Sequence, residues 1–248
     1  MITTLLRRSL PALALATLPL LATTLPAAAT SAVPAAELPY TSYAPARSAA
    51  RGPAAVPEVL PIGVAVSALR IADESRNGYD RDAFRHWNAG EDRTDGCDTR
   101  REVLIAEAVE PPVVGPRCTL TGGSWWSYYD AQIVTSAGAL DIDHMVPLAE
   151  AWDSGASAWT PARREAYAND QQQTTSLVAV TARSNRQKSD QDPFEWLPPA
   201  SEALCRYASE WTATKLRWQL AVNQNEQDRL YDIAAGCDGN TVTYTPAP

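Results

Sequence analysis

The chain has 248 residues, 45% of them hydrophobic, which is enough to bury the core of one or two domains. Its 29 acidic residues outnumber 21 basic ones and give a formal net charge of −8, which argues against a passive nucleic-acid-binding module held by a broad basic face. An enzyme remains compatible with that balance, because a local basic patch and a bound cation suffice to hold one phosphate.

Residues 1–29 read as a secretory signal. Arg7 and Arg8 precede an apolar run from Ser9 to Leu25, and Ala27, Ala28 and Ala29 offer a small-residue cleavage site. The run is too short and too broken by proline to span a membrane, and no second long apolar run follows. The expectation is a secreted protein, extracellular or in the cell envelope, with no membrane span and no protein partner. Residues 30–61 carry Pro34, Pro39, Pro45, Pro53, Pro57 and Pro61 among alanines and serines and read as a flexible or extended linker. The folded domain is expected over 62–239, with 240–248 as a C-terminal tail.

His86, in the apolar-flanked run 84-FRHW-87, reads as a structural histidine. Asp92, Asp95 and Asp98 lack the spacing of an EF-hand loop. Trp125, Trp126, Tyr128 and Tyr129 read as core and loop packing, with base stacking as the alternative. Leu140 to His144 alternates apolar and polar residues and predicts a short strand, with Asp141 and Asp143 on one face and Ile142 and His144 on the other. Pro147 ends it. A second strand is predicted at 177-LVAV-180, followed by a helix capped by Thr181 on which Asn185 and Lys188 share a face.

Near the C-terminus, Leu204, Tyr207, Ala208, Trp211 and Trp218 repeat at helical spacing. Asn223 and Glu226 form a capping-box signature for a second helix through Leu230 and Ile233. None of Cys97, Cys118, Cys205 and Cys237 forms a Cys-x-x-Cys pair, so two disulfides are favoured over structural zinc, and four cysteines allow three connectivities. Antiparallel packing of the two helices places Cys205 beside Cys237, which leaves Cys97 for Cys118.

The pairing of 141-DIDHMVP-147 with 177-LVAVTARSNRQKSD-190 resembles the HNH, or His-metal finger, nucleases, including the HNH domain of RNA-guided CRISPR nucleases. More widely, 84-FRHW-87, 96-GCDTRREVL-104, 117-RCTLTGGSWWSYYD-130, 141-DIDHMVPLAEAW-152, 184-SNRQKSD-190 and 192-DPFEWLPP-199 resemble small exported bacterial HNH endonucleases related to the C-terminal domain of the GmrSD restriction enzyme. The resemblance implies an α+β fold: a ββα-metal core, a supporting N-terminal helix and strand segment, and a C-terminal helix pair.

It also implies a reaction, the metal-dependent hydrolysis of phosphodiester bonds in DNA, with an RNase or a more general phosphodiesterase as the nearest alternative. A histidine titrates near neutrality, so His144 is suited to be the general base toward water. A hard Mg²⁺ or Mn²⁺ prefers oxygen ligands, and the resemblance assigns these to Asp143 and Asn185, with Asp141 as a supporting or alternative ligand. Lys188 is expected to stabilise phosphate charge or to orient the metal-bearing helix, and Arg183 and Arg186 to grip flanking phosphates. Each has a plainer reading: a strand-end histidine, a helix-capping asparagine, a solvated lysine and two surface arginines. Many HNH nucleases place an asparagine just before the second strand to fix the histidine. This chain has Ser176 there beside Thr175, so those hydroxyls or Asn169 are the candidates to orient His144. The competing class is an exported envelope-binding module without activity.

Overall fold

The computed structural model describes residues 56–248. The signal reading of residues 1–29 and most of the linker reading of 30–61 therefore lie outside the described residues. In chain order the elements are β1 (Glu58–Pro61), α1 (Ile62–Ser67), α2 (Thr99–Ala106), β2 (Ala108–Glu110), β3 (Val113–Gly115), β4 (Thr119–Thr121), β5 (Ser124–Ser127), β6 (Gln132–Val134) and β7 (Leu140–His144). They continue with α3 (Leu148–Asp153), α4 (Pro161–Ala168), β8 (Leu177–Thr181), α5 (Ala182–Lys188), α6 (Leu204–Trp218), α7 (Gln224–Ala234) and β9 (Thr241–Tyr244). The fold is mixed α+β, and both disulfides, Cys97–Cys118 and Cys205–Cys237, are formed.

The antiparallel ribbon β7–β8 lies between two apolar clusters. Its register pairs Leu140 with Thr181, Asp141 with Val180, Ile142 with Ala179, Asp143 with Val178 and His144 with Leu177. The period-two alternation of a strand then sorts the side chains. Val178 and Val180 join the larger core with Met145, Tyr207, Trp211 and Trp218. Leu140, Ile142, Leu177 and Ala179 join the smaller one with Leu104 and Trp125. Asp143 thus shares the face of Val178, toward the larger core, and His144 leaves on the opposite face beside Leu177. The Thr181 hydroxyl caps α5 by accepting from the Ser184 amide at 3.2 Å.

The C-terminal pair forms as the periodicity predicts, with Tyr207, Ala208, Trp211 and Trp218 buried. Only half of the capping box is made. The Asn223 side chain accepts from the Glu226 amide at 2.8 Å. The Glu226 carboxylate turns inward, where it accepts from Trp211 Nε1 at 2.5 Å and from Lys215.

The expected boundaries are too narrow at both ends. Glu58–Pro61 closes an antiparallel pair with Thr241–Tyr244, and Val242 and Tyr244 are buried. The proline-rich composition hides β1, because an edge strand tolerates a proline at its end. The aromatic run divides: Trp125, Tyr128 and Tyr129 are buried, while Trp126 is 44% exposed on the outer face of β5 beside Ile133 of β6.

Candidate active site

A cavity of about 480 Å³ opens at the C-terminal end of β7. Asp143 and His144 form part of its floor, Asn185 and Arg186 of α5 and the following Ser189 and Asp190 one wall, and Tyr79 and Arg81 also line it. No bend or bulge is needed to bring Asp143 and His144 together. At the last residues of the strand, both faces reach the same rim.

His144 is held by packing and one polar contact. Its ring stacks between Trp87 (centroids 5.4 Å apart) and Tyr167 (6.4 Å), and His86 lies edge-on at 6.2 Å. Nε2 makes a 2.9 Å hydrogen bond with the carbonyl oxygen of Ala168, the last residue of α4. A carbonyl can only accept, so Nε2 carries the hydrogen and Nδ1 is left as the acceptor. Burial pulls the His144 pKa down to about 3, with the Ala168 contact opposing. The imidazole is therefore neutral at physiological pH. His86 accordingly lies against the site, not apart from it, although its own Nδ1 bonds the Phe84 carbonyl oxygen at 2.8 Å, a structural contact.

The residue that orients His144 is none of the three expected. Ser176 donates to Asp170 at 2.7 Å, and the Thr175 hydroxyl accepts from Gln173. The Asn169 amide is used up elsewhere: it donates to the carbonyls of Arg85 and Glu165 and accepts from Asn88 N and the Thr99 hydroxyl. These bonds fasten the segment that carries Trp87, a bulky residue at φ +59°. That left-handed conformation costs roughly 1–2 kcal/mol, so the surrounding contacts must impose it.

Asp143 is braced on one oxygen only. Oδ2 accepts from the Tyr129 hydroxyl at 2.6 Å and from Lys188 Nζ at 2.7 Å. Among the described residues no donor reaches Oδ1. Burial pushes Asp143 up and Lys188 down in pKa, and their contact opposes both shifts. Lys188 also donates to the carbonyls of His144 and Met145, each at 3.0 Å, and is fully buried. All three of its hydrogens are engaged, so of the two roles expected of Lys188 the contacts suit the second, fastening α5 to the end of β7, and leave no hydrogen free for a phosphate. It locks the strand end and the carboxylate instead.

Asp141 lies one turn of the pleat behind and does not line the cavity. Its Oδ2 accepts from Asn185 Nδ2 at 3.3 Å, and Arg186 Nε approaches it at 3.4 Å. That contact turns the amide so that Asn185 Oδ1 is its free acceptor. Arg186 is in the cavity. Arg183 is not; with Gln187 and Gln132 it lines a separate cavity of about 670 Å³. The two arginines flank α5 and do not form one patch.

The oxygens left open, Asp143 Oδ1 and Asn185 Oδ1, suit a hard divalent cation that retains several waters. A second acidic group, Glu74, Asp192 and Glu226, brings carboxylate oxygens within 4.8 Å of one another. Asn223 bridges Glu74 and Asp192, Lys215 contacts Glu226, and none of the three lines the cavity. Sequence reasoning missed Ala168, Tyr129, Trp87, Tyr79 and Arg81. A backbone carbonyl leaves no trace in residue type, and the others lie 14 or more residues from the residues they serve.

Residues 118–233 match the family described as GmrSD restriction endonucleases, C-terminal domain. An uncharacterized secreted protein of the fungus Arthroderma benhamiae is 38% identical over 173 residues, covering 69% of this chain and 82% of the relative. The chain belongs to the GmrSD C-terminal-domain family. With a fungal relative, the resemblance extends beyond the bacterial proteins expected from the motifs. The span matched to the GmrSD C-terminal domain runs from Cys118 to Ile233 and includes β7, β8 and α5, while Tyr79, Arg81 and Trp87 precede it. No solved structure matches the chain.

Proposed function

We propose that this chain is a secreted, metal-dependent nuclease of the HNH type that hydrolyses phosphodiester bonds in DNA, with β7, β8 and α5 as its ββα-metal core. One observation carries the reading. A neutral histidine with a free Nδ1, a half-braced buried carboxylate and an oriented amide meet at a single cavity. A binding module has no use for a base placed beside an open carboxylate oxygen. Membership in a family whose description is a restriction endonuclease domain supports the chemistry, and the secreted relative supports export.

Asp143 and Asn185 would hold one Mg²⁺ or Mn²⁺, with Asp141 orienting Asn185. Bound there, the cation would supply positive charge to the phosphate and to the departing oxygen. His144 Nδ1 accepts a proton from the attacking water as the water oxygen bonds to phosphorus. The bond from phosphorus to the 3′ oxygen breaks, and that oxygen leaves as a hydroxyl after taking a proton from solvent. The Ala168 carbonyl stabilises the imidazolium formed, because it already accepts from the other ring nitrogen.

The test is incubation of the purified protein with plasmid DNA and with RNA, with Mg²⁺ or Mn²⁺ and with excess EDTA. DNA cleavage that needs the cation is expected. Complete DNA hydrolysis in EDTA contradicts the metal assignment, and cleavage of RNA alone contradicts the substrate.

A further inference from the structure

Arg81 and Arg186 line the cavity, Arg76 pairs with its lining residue Asp190, and the surroundings of the three differ. Arg76 is consumed by Asp153 at 2.7 Å and Asp190 at 2.5 Å. Arg186 leans on Asp141 at 3.4 Å. Arg81 lines the cavity, and among the described residues no carboxylate lies within ion-pair distance of it. In a chain with a net charge of −8, Arg81 thus leaves positive charge at the cavity that no carboxylate ion pair cancels, and such local charge in a cleft draws an anionic ligand.

Arg81 stands on a rigid base. It opens a single turn, Arg81–Ala83, whose preceding Asp80 side chain accepts from the Asp82 amide at 2.9 Å. Phe84 closes the turn and is fully buried, packing edge-on against Trp152 and Tyr167. Arg164 donates to the Ala83 carbonyl at 3.3 Å. The backbone is thus fastened on the α4 side, the side that also supplies the Ala168 carbonyl to His144. The guanidinium itself remains exposed, and its charge is felt at His144, where it helps lower the pKa.

We propose that Arg81 is a catalytic residue that binds a non-bridging oxygen of the phosphate being cleaved. The proposal rests on the nuclease reading above. A guanidinium offers paired donors in a fixed fork that matches two phosphate oxygens. A preorganised turn lets it do so with little reorganisation as negative charge grows on the phosphorus oxygens. It supplies from the protein the positive charge that Lys188, sealed in the core, does not deliver.

Arg81→Ala and Arg81→Lys test this, with Arg93→Ala, an exposed arginine outside the cavity, as the control for loss of one charge. Two measurements are needed: steady-state cleavage of a DNA oligonucleotide with Mg²⁺, and anisotropy of the same oligonucleotide in EDTA across a salt series. Arg81→Ala should lower kcat by about 10²–10³-fold, the range for removing one transition-state donor. It should also reduce the slope of log affinity against log salt by about one. Arg81→Lys should restore the salt slope but not the full rate, since an ammonium lacks the fork. Mn²⁺ affinity should be unchanged in both. An unchanged kcat overturns the proposal, and so does a loss confined to KM, which would place Arg81 on a neighbouring phosphate. If the wild type cleaves neither DNA nor RNA, the nuclease reading fails by itself, and an unchanged salt slope then decides against Arg81 separately.

Discussion

Lys188 and Lys215 are the only lysines in the chain, and both are completely buried. Lys215 sits among two carboxylates and two other oxygens: Glu150 at 2.7 Å, Ser154 at 2.7 Å, the Ala221 carbonyl at 2.8 Å and Glu226 at 3.1 Å. Burial pulls its pKa down, but Glu150 and Glu226 outweigh that and push it up to about 12. Lys188 has one carboxylate and two backbone carbonyls, and burial wins. The Lys215 group braces α3 against α6 and α7 with every carboxylate turned inward. The Lys188 group stops half-way, bracing one oxygen of Asp143 and leaving the other to the cavity. A buried ion pair is weak support for stability by itself, so its open or closed state is the better guide to its role.

The two regions should separate cleanly on mutation. His144→Ala, at the open group, should lower kcat by roughly 10²–10⁴-fold, as expected for loss of a general base, while urea unfolding shifts little by comparison. Full activity in a folded His144→Ala protein breaks the contrast, because the cavity would then not be the reacting centre. Lys215→Met, at the closed group, strands two buried carboxylates and should cost about 3–5 kcal/mol of stability, with kcat per folded molecule unchanged. Should Lys215→Met instead abolish turnover in folded protein, the closed group would have a part in the reaction.

Acidity gives a smaller and finer test. The folded pKa of His144 lies near 3, below its ordinary 6.5, so the unfolded chain takes up that proton first. The stability contribution is complete above pH 6.5 and is lost as pH falls toward 3. The slope reaches at most about 1.4 kcal/mol per pH unit. Subtracting the stability profile of His144→Gln from that of the wild type should isolate this slope, and two parallel profiles would show that the ring titrates freely.

Where local pattern decides the structure, it was readable. The alternation of 140–144, the threonine cap at 181, the asparagine cap at 223 and the helix geometry that joins Cys205 to Cys237 all appear as expected. What escaped depends on distant partners or on the backbone. Lys188 reads as a solvated charge until Asp143 and two carbonyls are placed around it. Arg183 and Arg186 are near neighbours in sequence, yet α5 divides them between two cavities. Ala168 contributes through a carbonyl that any residue would carry, so its role is set by where α4 ends.

The pairing of β1 with β9 has a consequence in time. Glu58 meets Tyr244 across almost the whole length of the described chain, so the first strand has no partner until the last one is made. Contacts of such long range close late, after the local hairpins and helices have formed. A chain interrupted before Thr241 would contain the β7–β8 ribbon but present an unpaired strand edge and an uncovered site for Val242 and Tyr244. The described fold is thereby closed only once Thr241–Tyr244 is present, and a copy lacking that strand is marked by the edge it leaves open.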